Sequence, residues 1–262
     1  MGFSVILRIE IIFIIFCIMA LWEFLSPRRQ LHINKKKRWV INFSLAIIEQ
    51  IILKVILPFT AVSMALYTQD KQMGLFNYLH IPLGYSFLLT ILLLDFVMYI
   101  QHIGLHKIPP LWRLHKIHHI DQDVDVTTSF RQHPIQAIFT VLIIFLTILI
   151  FGPPFVAVAT YEIILLTVLM FNHGNINKFG NFEKVIRSFV VTPDMHRVHH
   201  SAFQVETDSN YGFVFPWWDH IFRTYTKKPK DGHIKMITGL YEYQDYQKTG
   251  FLALLQIPFR KN

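Results

Sequence analysis

The chain has 262 residues and a formal net charge of +8, with 53% hydrophobic and only 16% charged residues. Soluble chains carry about 25% charged residues, so this composition excludes disorder and argues against an ordinary soluble enzyme. The single cysteine, Cys17, excludes an intrachain disulfide or a thiolate metal site.

Five apolar runs follow in chain order. The first covers about residues 3–25, with Arg8 and Glu10 near its start. No small-residue cleavage site precedes the Arg28-Arg29 pair, so it reads as an uncleaved spanning helix and not as a signal peptide. The second, residues 39–67, is long enough to span with tilt. Glu49, Lys54 and Pro58 interrupt it, which predicts a kink or break. The third, about residues 82–102, holds Asp95 as its one acidic residue. The fourth and fifth, about residues 135–151 and 155–171, meet at Gly152-Pro153-Pro154, a turn signal between antiparallel helices. Each is near the lower length limit for a span, so a hairpin that dips into the bilayer is the alternative.

Basic residues orient these runs. Arg28, Arg29, Lys35, Lys36, Lys37 and Arg38 separate the first two, Lys71 alone lies between the second and third, and Lys107, Arg113, Lys116 and Arg131 follow the third. The positive-inside rule puts residues 26–38, 103–134 and 172–262 in the cytoplasm and residues 68–80 opposite. The cluster at residues 35–38 reads as this topology signal, or alternatively as a site for anionic lipid head groups. The charge lies between apolar runs, so it points to a membrane surface and not to nucleic acid. Turn signals at Asp208-Ser209-Asn210 and Lys230-Asp231-Gly232 make the C-terminal third a small cap on the membrane helices. The expected fold is all-α: a polytopic membrane bundle with a histidine-rich di-metal cap on the cytoplasmic side.

The 14 histidines are clustered. His102-x-x-x-His106 closes the third run, and His115-x-x-His118-His119 follows it. His133 precedes Pro134, His173 follows the fifth run, and His196-x-x-His199-His200 completes the set. Positions i, i+3 and i+4 share a helix face, so each box can aim its imidazoles at one point. All the groups fall in segments that Lys and Arg alone assign to one side. His32, His80, His220 and His233 have no partner at useful spacing and read as structural. A structural zinc site needs four ligands, and a hydrolytic one about three plus a carboxylate base. Eight to ten imidazoles suit two metal ions with four or five nitrogens each, and imidazole suits iron.

These residues resemble the sterol desaturase and fatty acid hydroxylase superfamily over about residues 85–226. Asp95-Phe96-x-x-Tyr99-x-x-His102 is similar to the lead into its first box, and Arg131-Gln132-His133-Pro134 to its R-x-H-P segment. Asn172-His173-Gly174-Asn175 resembles its H-x-N element. Residues 192–201, Thr-Pro-Asp-Met-His-Arg-Val-His-His-Ser, resemble its third box. Asp208-Ser209-Asn210-Tyr211-Gly212 and Trp217-Trp218-Asp219, with Phe222 and Thr224, resemble its closing signature. Two positions depart: Arg223 stands where Gly is usual, which questions the local turn, and Asn177 stands where some relatives have a further histidine.

The resemblance implies a membrane-bound oxygenase with two iron ions, which zinc can replace in purified protein. It implies His102, His106, His115, His118, His119, His133, His173, His196, His199 and His200 as metal ligands. Residues 1–81 would be N-terminal membrane helices and residues 82–262 the catalytic unit. A lipid from the bilayer would be hydroxylated or desaturated with dioxygen. No flavin or nicotinamide fingerprint is present, so electrons would come from a separate protein. Asp95 lies about two helical turns before His102 on the same face, which suggests that it orients an imidazole or else makes a purely structural pairing. Asp194 and Asp208 are candidates for the same task at the last box. Tyr161 and Glu162 read equally as packing or as substrate contacts. The competing readings are a histidine-rich metal-binding or transport protein without oxygenase activity, and a bis-histidine haem carrier. The first would place ligands at the midplane of broken helices, and the second needs facing histidines within the spans.

Overall fold

The computed structural model describes residues 5–177, 180–245 and 249–260. Among them there are no strands, only isolated bridges pairing Pro27 with Ile176 and Ser201 with Thr238. The first apolar run forms α1, Val5–Leu25, and its predicted start at Phe3 lies outside the described residues. Next comes α2, Lys35–Ile56, opened by Asn34, whose side chain accepts from Lys37 N. The predicted interruption is a break: α2 stops ahead of Pro58, and Thr60 and Ser63 form a capping box that starts α3, Ala61–Asp70. One turn, α4, covers Leu75–Tyr78.

The third run is α5, Leu83–Lys107, and a Pro-Pro pair then opens α6, Pro109–His119. The hairpin is α7, Pro134–Phe151, and α8, Phe155–His173. Its turn needs glycine. Gly152 has φ 59°, and a Cβ there would lie 2.0 Å from the Met73 carbonyl oxygen. Four segments are long and apolar enough to cross a membrane: Lys35–Tyr78, Leu83–Lys107, Pro134–Phe151 and Phe155–His173. The 18 residues of α7 rise about 27 Å, close to the roughly 30 Å hydrocarbon core. The outward faces are apolar, with Leu83, Leu88, Leu142 and Leu146 exposed, as lipid contact requires.

The remaining short helices form the cap: α9 Glu183–Phe189, α10 Pro193–His199, α11 Gln204–Thr207, α12 Trp217–Ile221, α13 Gly232–Lys235 and α14 Phe251–Gln256. The segments grouped by their basic charge do meet at one end of the bundle. Arg28 pairs with Asp194 at 3.1 Å, the His32 and Ile33 amides donate to Asp123, and Arg29 donates to the Met236 carbonyl. Glu23, near the end of α1, accepts from the amides of Val126 and Asn175. At the opposite end, Asn77 donates to the Gly152 carbonyl.

One of the charges counted for topology is not on the surface. Arg38 is fully buried and grips Asp121 with two bonds, 2.8 and 2.9 Å long, and Asp125 with a third of 2.9 Å. It is therefore not a head-group ligand, because its guanidinium already has two carboxylates. The departure at Arg223 is also resolved. Arg223 keeps the left-handed turn, with φ 59°, at the cost of a conformation that favours glycine.

Two consequences can be measured by thermal unfolding in detergent. Arg38→Leu strands two buried carboxylates and should cost about 3–5 kcal/mol; a midpoint equal to wild type would exclude this role. Arg223→Gly should be neutral or slightly stabilising, whereas Arg223→Val should cost about 1–2 kcal/mol.

Candidate metal centre

Four helices end at one point and bring the histidines with them. The last turns of α5 carry His102 and His106, α6 carries His115, His118 and His119, α8 ends at His173, and α10 carries His196 and His199, with His200 as its cap. The imidazoles divide into two groups. His102, His106, His115, His119 and His199 form one, and His118, His173, His196 and His200 form the other. Within each group one nitrogen per ring lies within 4.8 Å of all the others, and every ring is buried. Each HxxHH box is thus split between the groups. In both boxes the i and i+4 members serve together and the i+3 member joins the other group: His115 and His119 part from His118, and His196 and His200 part from His199.

Second partners fix which nitrogen faces inward. His102 Nδ1 donates to the Tyr211 carbonyl at 2.8 Å, His199 Nδ1 to Ser209 at 2.7 Å, and His173 Nδ1 to Leu169 at 2.7 Å. His118 Nδ1 donates to the Arg131 carbonyl at 3.1 Å, and His115 Nδ1 to Gln136 Oε1 at 3.2 Å. A carbonyl can only accept, so these five rings carry the proton on Nδ1 and present the Nε2 lone pair. Those lone pairs confront one another: Nε2 atoms of His102 and His115 are 3.2 Å apart, and those of His173 and His118 are 3.0 Å apart. His199 Nε2 and both nitrogens of His106 and His200 are buried without a hydrogen-bond partner among the described residues. Buried polar atoms are rarely left in this state. Converging, unpaired nitrogen donors are what a divalent transition-metal ion would satisfy, so the residues fit a metal pair.

Electrostatics agree for the rings outside the spanning helices. Burial, then the neighbouring imidazoles, pushes His115, His119, His196, His199 and His200 well below the ordinary value of 6.5. Burial and His173 take His118 down to about 3. These rings are neutral, as metal ligands must be.

The other candidates take different places. His133 joins neither group: it caps α7, its Nδ1 accepting from the Ile135 amide, with Nε2 3.3 Å from the Leu255 carbonyl oxygen. Asp95 touches no imidazole. It is fully buried and accepts from Tyr161 Oη, Trp218 Nε1 and the amides of Val214 and Phe215. Asp219 holds the amides of Tyr211 and Gly212. Together the two carboxylates clamp the loop whose Tyr211 carbonyl aims His102, so Asp95 positions that ring through the loop. Asp208 lies 3.5 Å from His106 Nδ1, and Asp194 instead pairs with Arg28 and Arg197. Of the remaining histidines, His220 packs on Tyr225, His233 lies 3.6 Å from Asp194, and His32 is exposed.

The sequence did not point to Gln136 at the site, nor to Asp121 and Asp125, and offered Arg38 only as a topology or head-group charge. The last three hold the loop before α7, which Arg131 ties to α6 and to Asn42, and the Arg131 carbonyl aims His118. The signal available was the Asp121-x-Asp123-x-Asp125 alternation in a basic chain.

Two cavities lead away from the imidazoles. A cavity of about 450 Å³ is lined by His102, His115, His118, His173 and His196. A larger one, about 710 Å³, lies deeper among α2, α5, α7 and α8, and Gln50, Met98, Thr140 and Leu165 border both.

The fatty acid hydroxylase family matches residues 87–224. An ornithine lipid hydroxylase of Rhizobium tropici is 26% identical over 182 residues, covering 69% of this chain and 52% of the relative. The alkylglycerol monooxygenase of Homo sapiens is 31% identical over 146 residues, covering 56% and 31%. That of Caenorhabditis elegans is 30% identical over 141 residues, covering 52% and 26%. The chain thus spans about half the length of the first relative and about a third or less of the others. No solved structure matches it significantly.

The depressed imidazoles carry a pH consequence. Below about 6.5 the unfolded chain takes up protons that the folded, metal-free cluster refuses until far lower pH, so acid must destabilise the fold. The thermal midpoint of metal-free protein should fall steadily from about pH 7 to about pH 5. A midpoint independent of pH across that interval would contradict a neutral, buried cluster.

Proposed function

We propose, from the premise that this chain belongs to the fatty acid hydroxylase family, that it is a membrane-bound lipid hydroxylase working through two iron ions. The observation that carries this reading is the pair of buried imidazole groups opening onto cavities among membrane helices. The named activities of its relatives, on ornithine lipid and alkylglycerol, both concern lipids. His102, His106, His115, His119 and His199 would hold one ion, and His118, His173, His196 and His200 the other; the role of His133 would be to start α7 beside them. Bound iron supplies the activation of dioxygen that attack on an unactivated C–H bond requires.

The protein's own contribution is positioning and exclusion of water. The Nδ1 bonds to backbone carbonyls, and that of His115 to Gln136, hold five of the nine rings in one tautomer and one orientation before the ions arrive. Phe213, packed 4.8 Å from His102, and Trp112, 5.0 Å from His106, close the site with apolar surface. The adjoining cavities give an alkyl chain a dry path from the bilayer. We assign residues 82–262 as the catalytic unit and residues 1–81 as membrane helices that brace it through Glu23, Arg28 and Arg38. The histidine face is cytoplasmic in this reading, from the distribution of Lys and Arg. Exposed Lys184, Lys227, Lys228, Lys230 and Lys235 on the cap suit a separate acidic electron-donor protein.

Elemental analysis of anaerobically reconstituted protein should give close to two iron equivalents, with zinc as competitor. His199→Ala should lose metal and abolish oxidised products in lipid profiles of intact cells, while His32→Ala should keep both. Full metal loss without any change in lipids would favour a metal-binding protein instead. Orientation has its own test. In a Cys17→Ser background, Lys228→Cys should react with an impermeant reagent only after the membrane is opened, and Tyr78→Cys before. The reverse pattern would overturn the cytoplasmic assignment.

A further inference from the structure

By charge count residues 172–262 lie in water on the histidine side, yet part of this segment touches the middle of a spanning helix. Asp95 stands midway between Leu83 and Lys107, the ends of α5. There it accepts from the amides of Val214 and Phe215 and from Trp218 Nε1. The neighbouring Phe96 ring packs 5.0 Å from Trp218 and 5.9 Å from Phe222, and Tyr99 Oη lies 2.9 Å from Thr224 Oγ1. The chain therefore descends from Tyr211, at the level of His102, turns beside Asp95 and returns at Tyr99. At about 1.5 Å per residue α5 is about 37 Å long, and Asp95 is about 18 Å from its Lys107 end. The hydrocarbon core is about 30 Å thick. If all the excess length protruded on the histidine side, Asp95 would still lie about 10 Å inside that core. Tilting α5 removes overhang and places Asp95 deeper.

We infer that residues 213–222, with α9 against them, form a re-entrant wedge whose partner is the acyl-chain layer of the leaflet on the histidine side. The inference goes beyond the hydroxylase reading, and it rests on α5 crossing the membrane, not on the reaction. Lipid offers no hydrogen bonds, so irregular backbone at this depth must be satisfied within the protein. The loop meets that demand. Asp219 holds the amides of Tyr211 and Gly212, and Asp95 those of Val214 and Phe215. The Phe213 carbonyl accepts from Asn172 Nδ2 on α8, and the Val214 carbonyl from the Val191 amide. The Pro216 and Trp218 carbonyls accept from the amides of His220 and Phe222, and Pro216 has no N–H to satisfy.

The outward face is apolar and continuous with the lipid-facing surface already described. Trp217 Nε1 donates to the Ser188 carbonyl at 2.7 Å, which fastens α9 to α12. Phe182, Val185 and Phe189 recur at the spacing of one helix face. They and Ile221 each leave more than half of their surface exposed, and Trp217 and Phe222 more than a third. On α5, Leu92 and Ile100 are exposed one turn before and one turn after Phe96, the ring that Phe222 stacks on. The exposed row of α5 thus runs directly into the wedge. Contiguous exposed apolar surface marks a binding face, and a water-soluble protein cannot reach this one. The polar groups on the same elements fit a position within one leaflet. Arg187 donates to Tyr225 Oη and the Lys227 carbonyl, and His220 packs on the Tyr225 ring. Lys184 and Arg223 are exposed, with stems long enough to carry their charge to the head groups.

The first test uses the full-length wild-type chain in phosphatidylcholine nanodiscs with a lipid-dissolved diazirine. Its carbene, formed by light, inserts into residues that face the acyl chains, and mass spectrometry locates the label. Residues 182–189 and 217–222 should carry label within about threefold of Leu88 and Leu92, and about tenfold above residues 227–235. Label on Leu88 and Leu92 with only the level of residues 227–235 in the wedge would overturn the inference. The second test reads depth. In a Cys17→Ser background, a bimane on Ile221→Cys should be quenched by 5-doxyl phosphatidylcholine. It should be about fivefold less accessible to aqueous iodide than a bimane on Lys228→Cys. Equal iodide quenching at the two positions would overturn the inference. Shielding from both quenchers would mark a second copy of the chain on this face and would overturn it as well. Neither measurement reads turnover, so both outcomes stand whether or not the chain oxidises a lipid.

Discussion

Nine imidazoles are buried together, and the five whose tautomer is fixed turn their lone pairs inward, so they have no mutual attraction. Nε2 of His102 meets that of His115 at 3.2 Å, and Nε2 of His118 that of His173 at 3.0 Å, without a proton to share. Left to themselves the rings would rotate or open to solvent. The rest of the fold can be understood as what prevents this. Five rings are restrained from behind, four by backbone carbonyls and His115 by Gln136, and the carbonyls that aim His102 and His118 belong to loops fixed by buried ions.

Those ions are carboxylates and arginines that take no part in the ligand groups. Asp95 and Asp219 clamp the loop that aims His102. Arg38, Asp121 and Asp125 fix the loop whose Arg131 carbonyl aims His118. Asn210, in the left-handed conformation with φ 52°, donates to the Met195 carbonyl and so ties α10 to the segment after α12. Such groups are expensive to bury unless fully paired. Here each carboxylate collects several donors from different elements, which turns a desolvation cost into a geometric constraint. The closing signature makes sense on these terms. Trp218, Asp219 and Thr224 touch no imidazole, yet they hold the loop that does.

The membrane helices have a double task. Their outward faces are apolar and their lengths match a bilayer. The inner faces of α1 and α2 carry Glu23, Arg38, Asn42 and Glu49, all buried. Polar side chains within spans usually face the bundle interior. The break at Pro58 lets α3 pack on α7 and α8 and leaves the larger cavity beside Leu57 and Phe59. The first two helices and the histidine-bearing segment are therefore mechanically joined, although the family match covers residues 87–224 alone.

The sequence by itself determined the helical class, the five apolar runs, the break at Pro58, the turn at Gly152 and the histidines that could act together. These are local properties: hydropathy over a helix length, proline and glycine chemistry, and the i, i+3, i+4 spacing that puts rings on one face. The charge count also grouped the correct segments at one end, because basic residues concentrate there. Only the tertiary structure divided the rings into five and four, left His133 as a helix cap, and moved Asp95 from an imidazole to a loop. It also turned Arg38 from a surface charge into a buried clamp. Each of these depends on where two elements cross, and helix periodicity places a side chain on a face without saying what that face meets. The carboxylate at residue 121 or 125 and the guanidinium at residue 38 are more than eighty positions apart, and nothing in either neighbourhood names the other.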